Sequence, residues 1–157
     1  MFRKSKVQQK VRVLFVDEMN DLQSQVAQYF LEEMYGDRYE AYSAGPKFDC
    51  IDCELVSVMY QMGYDIRSRR AKDFREKKIP DTLDYIVFLE RSTYENMKDV
   101  MPWTAPQILC DFGRKDNFET ATDDEELYEC YEAFIERIRA WVQETFSDPE
   151  NLKSLVI

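Results

Sequence analysis

The feature that most constrains the fold is an apolar run that leads through a short polar loop into an amphipathic helix. Residues 11–16 are almost continuously apolar, a pattern typical of a parallel strand covered on both faces. From Leu22 to Tyr35 the apolar residues recur with helical spacing, and Gly36 is suited to end that helix. A strand, a tight loop and a helix in this order predict the first unit of an α/β sheet, with the loop at the carboxyl end of the strand.

The rest of the chain repeats this alternation. The apolar patterns predict strands over 39–43, 83–89 and 107–110, and helices over 52–62, 92–97 and 123–146. A length of 157 residues suits one domain with its own core. We therefore predict a doubly wound α/β sandwich over residues 11–147, a basic amino-terminal arm over 1–10 and a carboxyl-terminal tail over 148–157.

The composition excludes several kinds of function. The chain has 21 Lys and Arg against 31 Asp and Glu, a net charge of −10, and no histidine. This charge disfavours nucleic acid and anionic membranes as partners, and the lack of imidazole excludes Ser-His-Asp triads and histidine metal sites. No apolar run is long enough to span a membrane, and the basic amino terminus lacks the apolar segment of a signal peptide. We predict a cytoplasmic protein with reduced cysteines and without nucleic acid or membrane partners.

The loop over 17–24 follows the first predicted strand, and Ser43-Ala44-Gly45 follows the second. These motifs resemble the phosphate-binding loop and the Ser-Ala-Gly motif of the low-molecular-weight protein tyrosine phosphatases and the related thioredoxin-coupled arsenate reductases. The segments 62–66, 68–72 and 83–88 also resemble their family counterparts. The resemblance spans residues 11–146 and implies a three-layer α/β sandwich around a four-stranded parallel sheet, with the loop as its ligand-binding site.

The loop departs from the family at the two positions that carry the family's chemistry. Asp17 stands where the family has its nucleophilic cysteine, and Gln23 stands where it has the arginine that clamps the phosphate. A carboxylate at the base of an anion cradle repels phosphate and competes for the same N–H donors. Met19 stands at a glycine position, where any positive φ would be strained, whereas Asn20 and Ser24 match the family. The predicted ligand-binding loop comprises Asp17, Glu18, Met19, Asn20, Asp21, Leu22, Gln23 and Ser24.

The favoured hypothesis is a catalytically inactive member of this family that acts as a binding or regulatory module for a protein partner, without a cofactor. The nearest counterpart of the family's general acid is Asp111, although the proline that should follow it is missing. The sequence does not decide whether the chain is an enzyme, and it does not indicate an oligomeric state. A simpler hypothesis is that Asp17 only caps the helix that follows it.

A second hypothesis keeps an enzyme but changes its chemistry. Asp17, Glu18 and Asp21 offer oxygen ligands for Mg²⁺ or Ca²⁺, with Asp111 and Asp116 approaching from the far side of the crevice. The spacing matches no EF-hand loop, and a solvated acidic turn explains the same residues.

A third hypothesis rests on Cys50-Ile51-Asp52-Cys53, a Cys-x-x-Cys motif at a predicted helix start that suits dithiol chemistry. Its surroundings are not thioredoxin-like, so two ordinary cysteines are the competing interpretation. Cys110 and Cys130 lie in apolar patterns and are predicted to be core residues. The basic residues between 67 and 78 could recognise an acidic or phosphorylated partner, or simply form a solvated connection.

Overall fold

The structure, a computed structural model, describes residues 9–114 and 116–157, and for residues 116 and 117 it describes the backbone alone. Most of the predicted amino-terminal arm therefore lies outside the described residues. The strands are β1 (Val11–Val16), β2 (Tyr39–Ala44), β3 (Tyr85–Phe88) and β4 (Gln107–Leu109). The helices are α1 (Gln23–Tyr35), α2 (Cys53–Gln61), α3 (Arg91–Met97) and α4 (Asp124–Thr145), with short 3-10 helices at Asp116–Thr120 and Pro149–Leu155.

The four strands form one parallel sheet in the order β2-β1-β3-β4. Strand β1 pairs along its whole length with β2, from Val11 opposite Tyr39 to Val16 opposite Ala44, and with β3 from Val13 onwards. The predicted three-layer α/β sandwich with a four-stranded parallel sheet is confirmed. Because β1 lies between two neighbours, the loop that follows it emerges at the middle of the sheet's carboxyl edge, which is where parallel sheets bind ligands.

The two faces of the sheet carry separate cores. Side chains alternate along a strand, so Val13 and Phe15 enter a large core under α1, α2 and α4, whereas Leu14 and Val16 enter a smaller core on the opposite face. Fully buried Phe146 packs edge-to-face on Phe15 with 5.6 Å between the ring centroids. Burial on both faces explains why β1 reads as a continuous apolar run.

Helix α1 begins without a capping side chain of its own. Asp52 caps α2 by accepting from the N–H groups of Glu54 and Leu55, whereas Leu22, at the equivalent position of α1, makes no such bond. The backbone N–H of Ser24, in the first turn of α1, instead donates to the carboxylate of Asp17 at the end of β1. The start of this helix is thus completed by a residue seven positions upstream.

The tail packs against the edge of the sheet. Leu152 is fully buried, Val156 forms an antiparallel bridge with Ile108 of β4, and the N–H of Ile157 donates to the carbonyl of Gln107 at 2.9 Å. These contacts cover the outer edge of β4, which is the shortest strand of the sheet. Across residues 9–114 and 116–157, none of the helices has the length and apolar character needed to cross a bilayer.

Candidate functional site

The loop between β1 and α1, residues 17–24, keeps a tight shape. Asn20 has a φ of 52°, the left-handed conformation, and it is the one non-glycine residue with a positive φ in the described part of the chain. Asparagine tolerates this conformation better than most residues do. The strain expected for a left-handed Met19 does not arise, because its neighbour Asn20 adopts the left-handed conformation instead.

The Asn20 side chain fastens the loop to its surroundings. Its Nδ2 donates to Ser24 Oγ at 2.8 Å, and its Oδ1 accepts from Gln25 Nε2 at 3.0 Å. The same oxygen accepts from both nitrogens of Lys72, at 2.9 Å from the backbone and 3.1 Å from Nζ. Asn20, Ser24 and Gln25 are fully buried, so buried hydrogen bonds fix the shape of the loop and join it to the segment that contains Lys72.

Asp17 turns its carboxylate into the loop. The side chain is fully buried, and Oδ2 accepts from Ser24 N at 2.8 Å, Ser24 Oγ at 2.7 Å and Leu22 N at 3.3 Å. Burial raises the pKa of Asp17, while the two hydrogen bonds from Ser24 and the nearby Arg114 oppose that rise. Oδ1 is also buried and has no hydrogen-bond partner among the described residues. Two backbone donors of the loop, Leu22 N and Ser24 N, and the Ser24 hydroxyl are therefore engaged by its own carboxylate.

Gln23 connects the loop to the segment after β4. It is fully buried, and its Nε2 donates to the carbonyl oxygen of Gly113, while its Oε1 has no partner among the residues that the structure describes. A neutral amide cannot supply the bidentate, charged contact that a guanidinium makes to a phosphate. In this position Gln23 holds two segments of the protein together.

Arg114 covers the loop with a positive charge. Its Nη2 donates to Asp21 Oδ1 at 2.6 Å, and its Nη1 donates to Glu90 Oε1 at 2.7 Å. Burial lowers the pKa of Arg114, but the bond to Asp21 and the charges of Glu90, Asp21 and Asp17 together raise it above the ordinary value. The guanidinium is therefore a permanent cation that is paired with Asp21 of the loop and with Glu90.

Glu90 completes this arrangement. Only 4% of its side chain is exposed, and besides Arg114 it binds the N–H of Glu18 at 2.9 Å. Burial raises the pKa of Glu90, and these two partners limit the rise. Sequence reasoning missed both Glu90 and Arg114. Each follows the carboxyl end of a parallel strand, β3 or β4, and this topological signal could have indicated them.

Two more of the predicted residues share a cavity beside the loop. The cavity measures about 440 Å³, and its lining includes Glu18, Asp111 and Arg114. Asp111 is exposed, and its Oδ1 accepts from the N–H of Gly113 at 2.9 Å in a local turn. The structure therefore brings Asp111, the predicted general-acid position, to the cavity beside the loop, although Asp17 is directed away from solvent.

The acidic residues do not gather as metal ligands. Among the side chains that the structure describes, no group of three or more Cys, Asp or Glu is placed to hold a metal ion. Asp17 faces the donors of the loop, Asp21 is paired with Arg114, and Glu18 is exposed. The side chain of Asp116, the remaining candidate, lies outside the described residues.

The Cys-x-x-Cys segment lies against the loop, because the N–H of Asp52 donates to the carbonyl oxygen of Asp21 at 3.1 Å. Cys50 and Cys53 are exposed, on either side of the Asp52 cap of α2, and all four cysteines of the chain are thiols. Cys110 and Cys130 are partly buried, Cys130 packs against the large core, and burial raises the pKa of Cys110 to about 11. The exposed pair is thus accessible to reagents, whereas Cys110 is held as a protonated thiol.

A tight loop at the carboxyl end of a central parallel strand, leading directly into a helix, defines a class of α/β proteins built to hold oxyanions. The model of the low molecular weight phosphotyrosine protein phosphatase family matches residues 12–149, and the chain belongs to this family.

Solved structures share the fold. The low molecular weight protein tyrosine phosphatase from T. tengcongensis is 23% identical with a TM-score of 0.65, covering 87% of this chain and 98% of its own. Vibrio vulnificus Wzb in complex with benzylphosphonate is 16% identical with a TM-score of 0.60, and the match covers 87% of this chain and 99% of the Wzb chain. The Corynebacterium glutamicum thioredoxin-dependent arsenate reductase Cg_ArsC1' is 20% identical with a TM-score of 0.63, covering 95% of this chain and 66% of its own. No curated protein matches the chain significantly.

Proposed function

We propose that this chain is a catalytically inactive member of its family and acts by binding a protein partner. The observation that carries the proposal is the Asp17 carboxylate, whose Oδ2 accepts three hydrogen bonds from Leu22 and Ser24. A cysteine thiolate at this position would attack phosphorus and would leave the donors free for the phosphate oxygens. A buried carboxylate on those donors excludes the phosphate from the loop.

The environment of the loop supports the same conclusion. Gln23 is tied to Gly113, and Arg114 spans Asp21 and Glu90 across the crevice. A phosphomonoester entering here would meet four carboxylates, of Asp17, Asp21, Glu18 and Glu90, with one guanidinium that already has two partners. Electrostatic repulsion in a partly desolvated site then opposes both binding and transfer.

An altered chemistry is the alternative proposal. The observation that favours a dithiol couple is the exposure of both Cys50 and Cys53 at the start of α2. Metal-assisted transfer to Asp17 has weaker support, because the carboxylate that should accept the phosphoryl group is directed at the loop and not at the cavity. A cytoplasmic, reducing location is proposed with either function.

The proposal is tested by aryl phosphate turnover in four matched proteins: wild type, Asp17→Cys, Gln23→Arg and the double variant. We expect wild type and both single variants to release phosphate at the rate of buffer alone, because each lacks the nucleophile, the clamp or both. We expect the double variant to gain turnover, since Asn20 and Ser24 hold the loop in shape. Turnover by wild type above the buffer rate would overturn the proposal.

A further inference from the structure

A basic cavity lies beside β2, separate from the cavity that contains Asp111. It measures about 390 Å³, and its charged lining consists of four cations, Arg69, Arg70, Lys72 and Lys78, and one carboxylate, Glu76. The whole chain has a net charge of −10. Four cations around one carboxylate give this cavity a positive electrostatic potential in an otherwise acidic protein. The low-dielectric walls of the cavity strengthen that potential.

Lys72 is a partly buried cation whose hydrogen-bond partners are all neutral. Its Nζ lies 3.1 Å from Asn20 Oδ1, 3.2 Å from the carbonyl oxygen of Arg70 and 3.5 Å from Ser43 Oγ, all of them neutral atoms. Within the described residues no carboxylate stands within ion-pair distance of this nitrogen. Burial lowers the pKa of Lys72 to about 8, and the charge of Arg70 adds to that effect. An anion in the cavity would remove this electrostatic penalty.

Ion pairs with carboxylates orient the two guanidinium groups of the cavity. Arg69 binds Glu32 at 2.6 Å, and Arg70 binds Glu76 at 2.6 Å while 63% of its side chain stays exposed. An exposed guanidinium has five N–H donors, and one carboxylate does not use them all. Tyr42 and Ser68 also line the cavity, although the Tyr42 hydroxyl donates to Glu40. Together these groups suit a ligand with several charged oxygen acceptors.

The surface around the cavity indicates that the anion arrives on a peptide. Two further cavities, of about 470 and about 520 Å³, also have Arg70 in their linings, and both are bounded by Phe48. Phe48 is 56% exposed, which makes it an apolar contact beside a charged site. Adjoining cavities with an aromatic contact provide room for a chain on either side of one anionic group.

We propose that this cavity binds the phosphate monoester of a phosphorylated segment in a partner protein. A phosphate monoester offers three acceptor oxygens and close to two negative charges, and it forms its strongest contacts with guanidinium groups. Arg70 and Lys78 bind the phosphate oxygens, Lys72 supplies charge from beneath, and Phe48 contacts the flanking peptide. This site is distinct from the donors that Asp17 accepts from, although Lys72 is hydrogen-bonded to Asn20 of the loop.

The test is an NMR titration with phenyl phosphate that follows the ε-methylene signals of Lys72, with inorganic phosphate as the second probe. We expect saturable shifts with phenyl phosphate, weaker binding of inorganic phosphate, and a rise in the pKa of Lys72 when the anion is bound. Arg70→Gln/Lys78→Gln changes two exposed side chains and should weaken phenyl phosphate binding at least tenfold. Arg67→Gln/Lys98→Gln makes the same change in net charge outside the cavity and should leave the affinity within twofold.

Three results would overturn the proposal. They are the absence of saturable shifts, an equal loss of affinity in both double variants, and inorganic phosphate binding as tightly as phenyl phosphate, which would assign the cavity to a free ion. Phosphate release is recorded in the same samples. Release would contradict the proposed inactivity of the loop and would say nothing against the cavity, so the two failures remain distinguishable.

Discussion

Removal of the Arg114 guanidinium should destabilise the fold in a way that depends on pH. Arg114→Met keeps the length of the side chain and removes both charged contacts, to Asp21 at 2.6 Å and to Glu90 at 2.7 Å. A hydrogen bond to a charged group contributes about 1.5–3 kcal/mol. Arg114 is 26% exposed and Asp21 17%, so solvent weakens their pair, whereas Glu90 at 4% is left almost fully buried. We expect a loss of about 3 kcal/mol at pH 7.

The sign of the pH dependence follows from the raised pKa of Glu90 and of Asp17. Burial already raises both above their ordinary values, and removal of Arg114 raises them further. A carboxyl group whose folded pKa exceeds its unfolded pKa destabilises the fold when it is ionised, and this cost disappears below the unfolded pKa of about 4. The loss caused by Arg114→Met should therefore shrink by more than half between pH 7 and pH 4.5.

Urea unfolding at both pH values measures this effect, with Arg67→Met as the matched control. Arg67 and its partner Asp65 are 58% and 51% exposed, and a surface pair contributes at most about 1 kcal/mol. The reasoning would be refuted if Arg114→Met and the control lost the same free energy of unfolding to within about 0.5 kcal/mol, the usual margin for exposed sites. A loss that is the same at pH 4.5 and pH 7 would also refute it, because the cost would then not come from buried charge.

Two further predictions concern the loop and the cysteines. Ser24→Ala removes a donor to Asp17 and leaves Asn20 Nδ2 without its acceptor, so we expect a loss of about 3 kcal/mol in urea unfolding. Ser57→Ala, on an exposed face of α2, should change the free energy of unfolding by less than about 0.5 kcal/mol, and similar losses in the two variants would contradict the loop network. In a thiol titration with an aromatic disulfide at pH 8, Cys50 and Cys53 should react fast and Cys110 slowly, because burial raises the pKa of Cys110 to about 11. Rapid reaction of Cys110 in the folded protein would show that this thiol is less buried than it is in the structure.

The sequence predicts the fold well because its strongest signals are local. The apolar run of β1, the helical spacing of α1 and the turn at Ser43-Ala44-Gly45 each report the structure of adjacent residues. Gly45 is required because a Cβ there would lie 2.5 Å from the carbonyl oxygen of Asp17 and 2.6 Å from that of Glu18. The end of β2 therefore packs directly on the loop, and a family motif that looks like a simple turn is also a packing requirement.

The interior of the candidate site is harder to predict, because its contacts join distant parts of the chain. Arg114 and Asp21 are 93 positions apart, and Lys72 and Asn20 are 52 positions apart. No local periodicity indicates which of 21 cations meets which of 31 carboxylates. Asp17 and Gln23, at the predicted nucleophile and clamp positions, are visible in the sequence, but the placement of the Asp17 carboxylate on Ser24 N depends on the fold.

The central claim is that Asp17 has ended the family's chemistry in this loop. The most direct measurement is the rate at which the purified wild-type chain releases phosphate from an aryl phosphate, compared with Asp17→Ala and with buffer. We expect all three rates to be equal, because the wild-type loop contains neither a thiolate nor a guanidinium clamp. A wild-type rate above both of the others would contradict the claim, since it would show that Asp17 itself takes part in phosphoryl transfer.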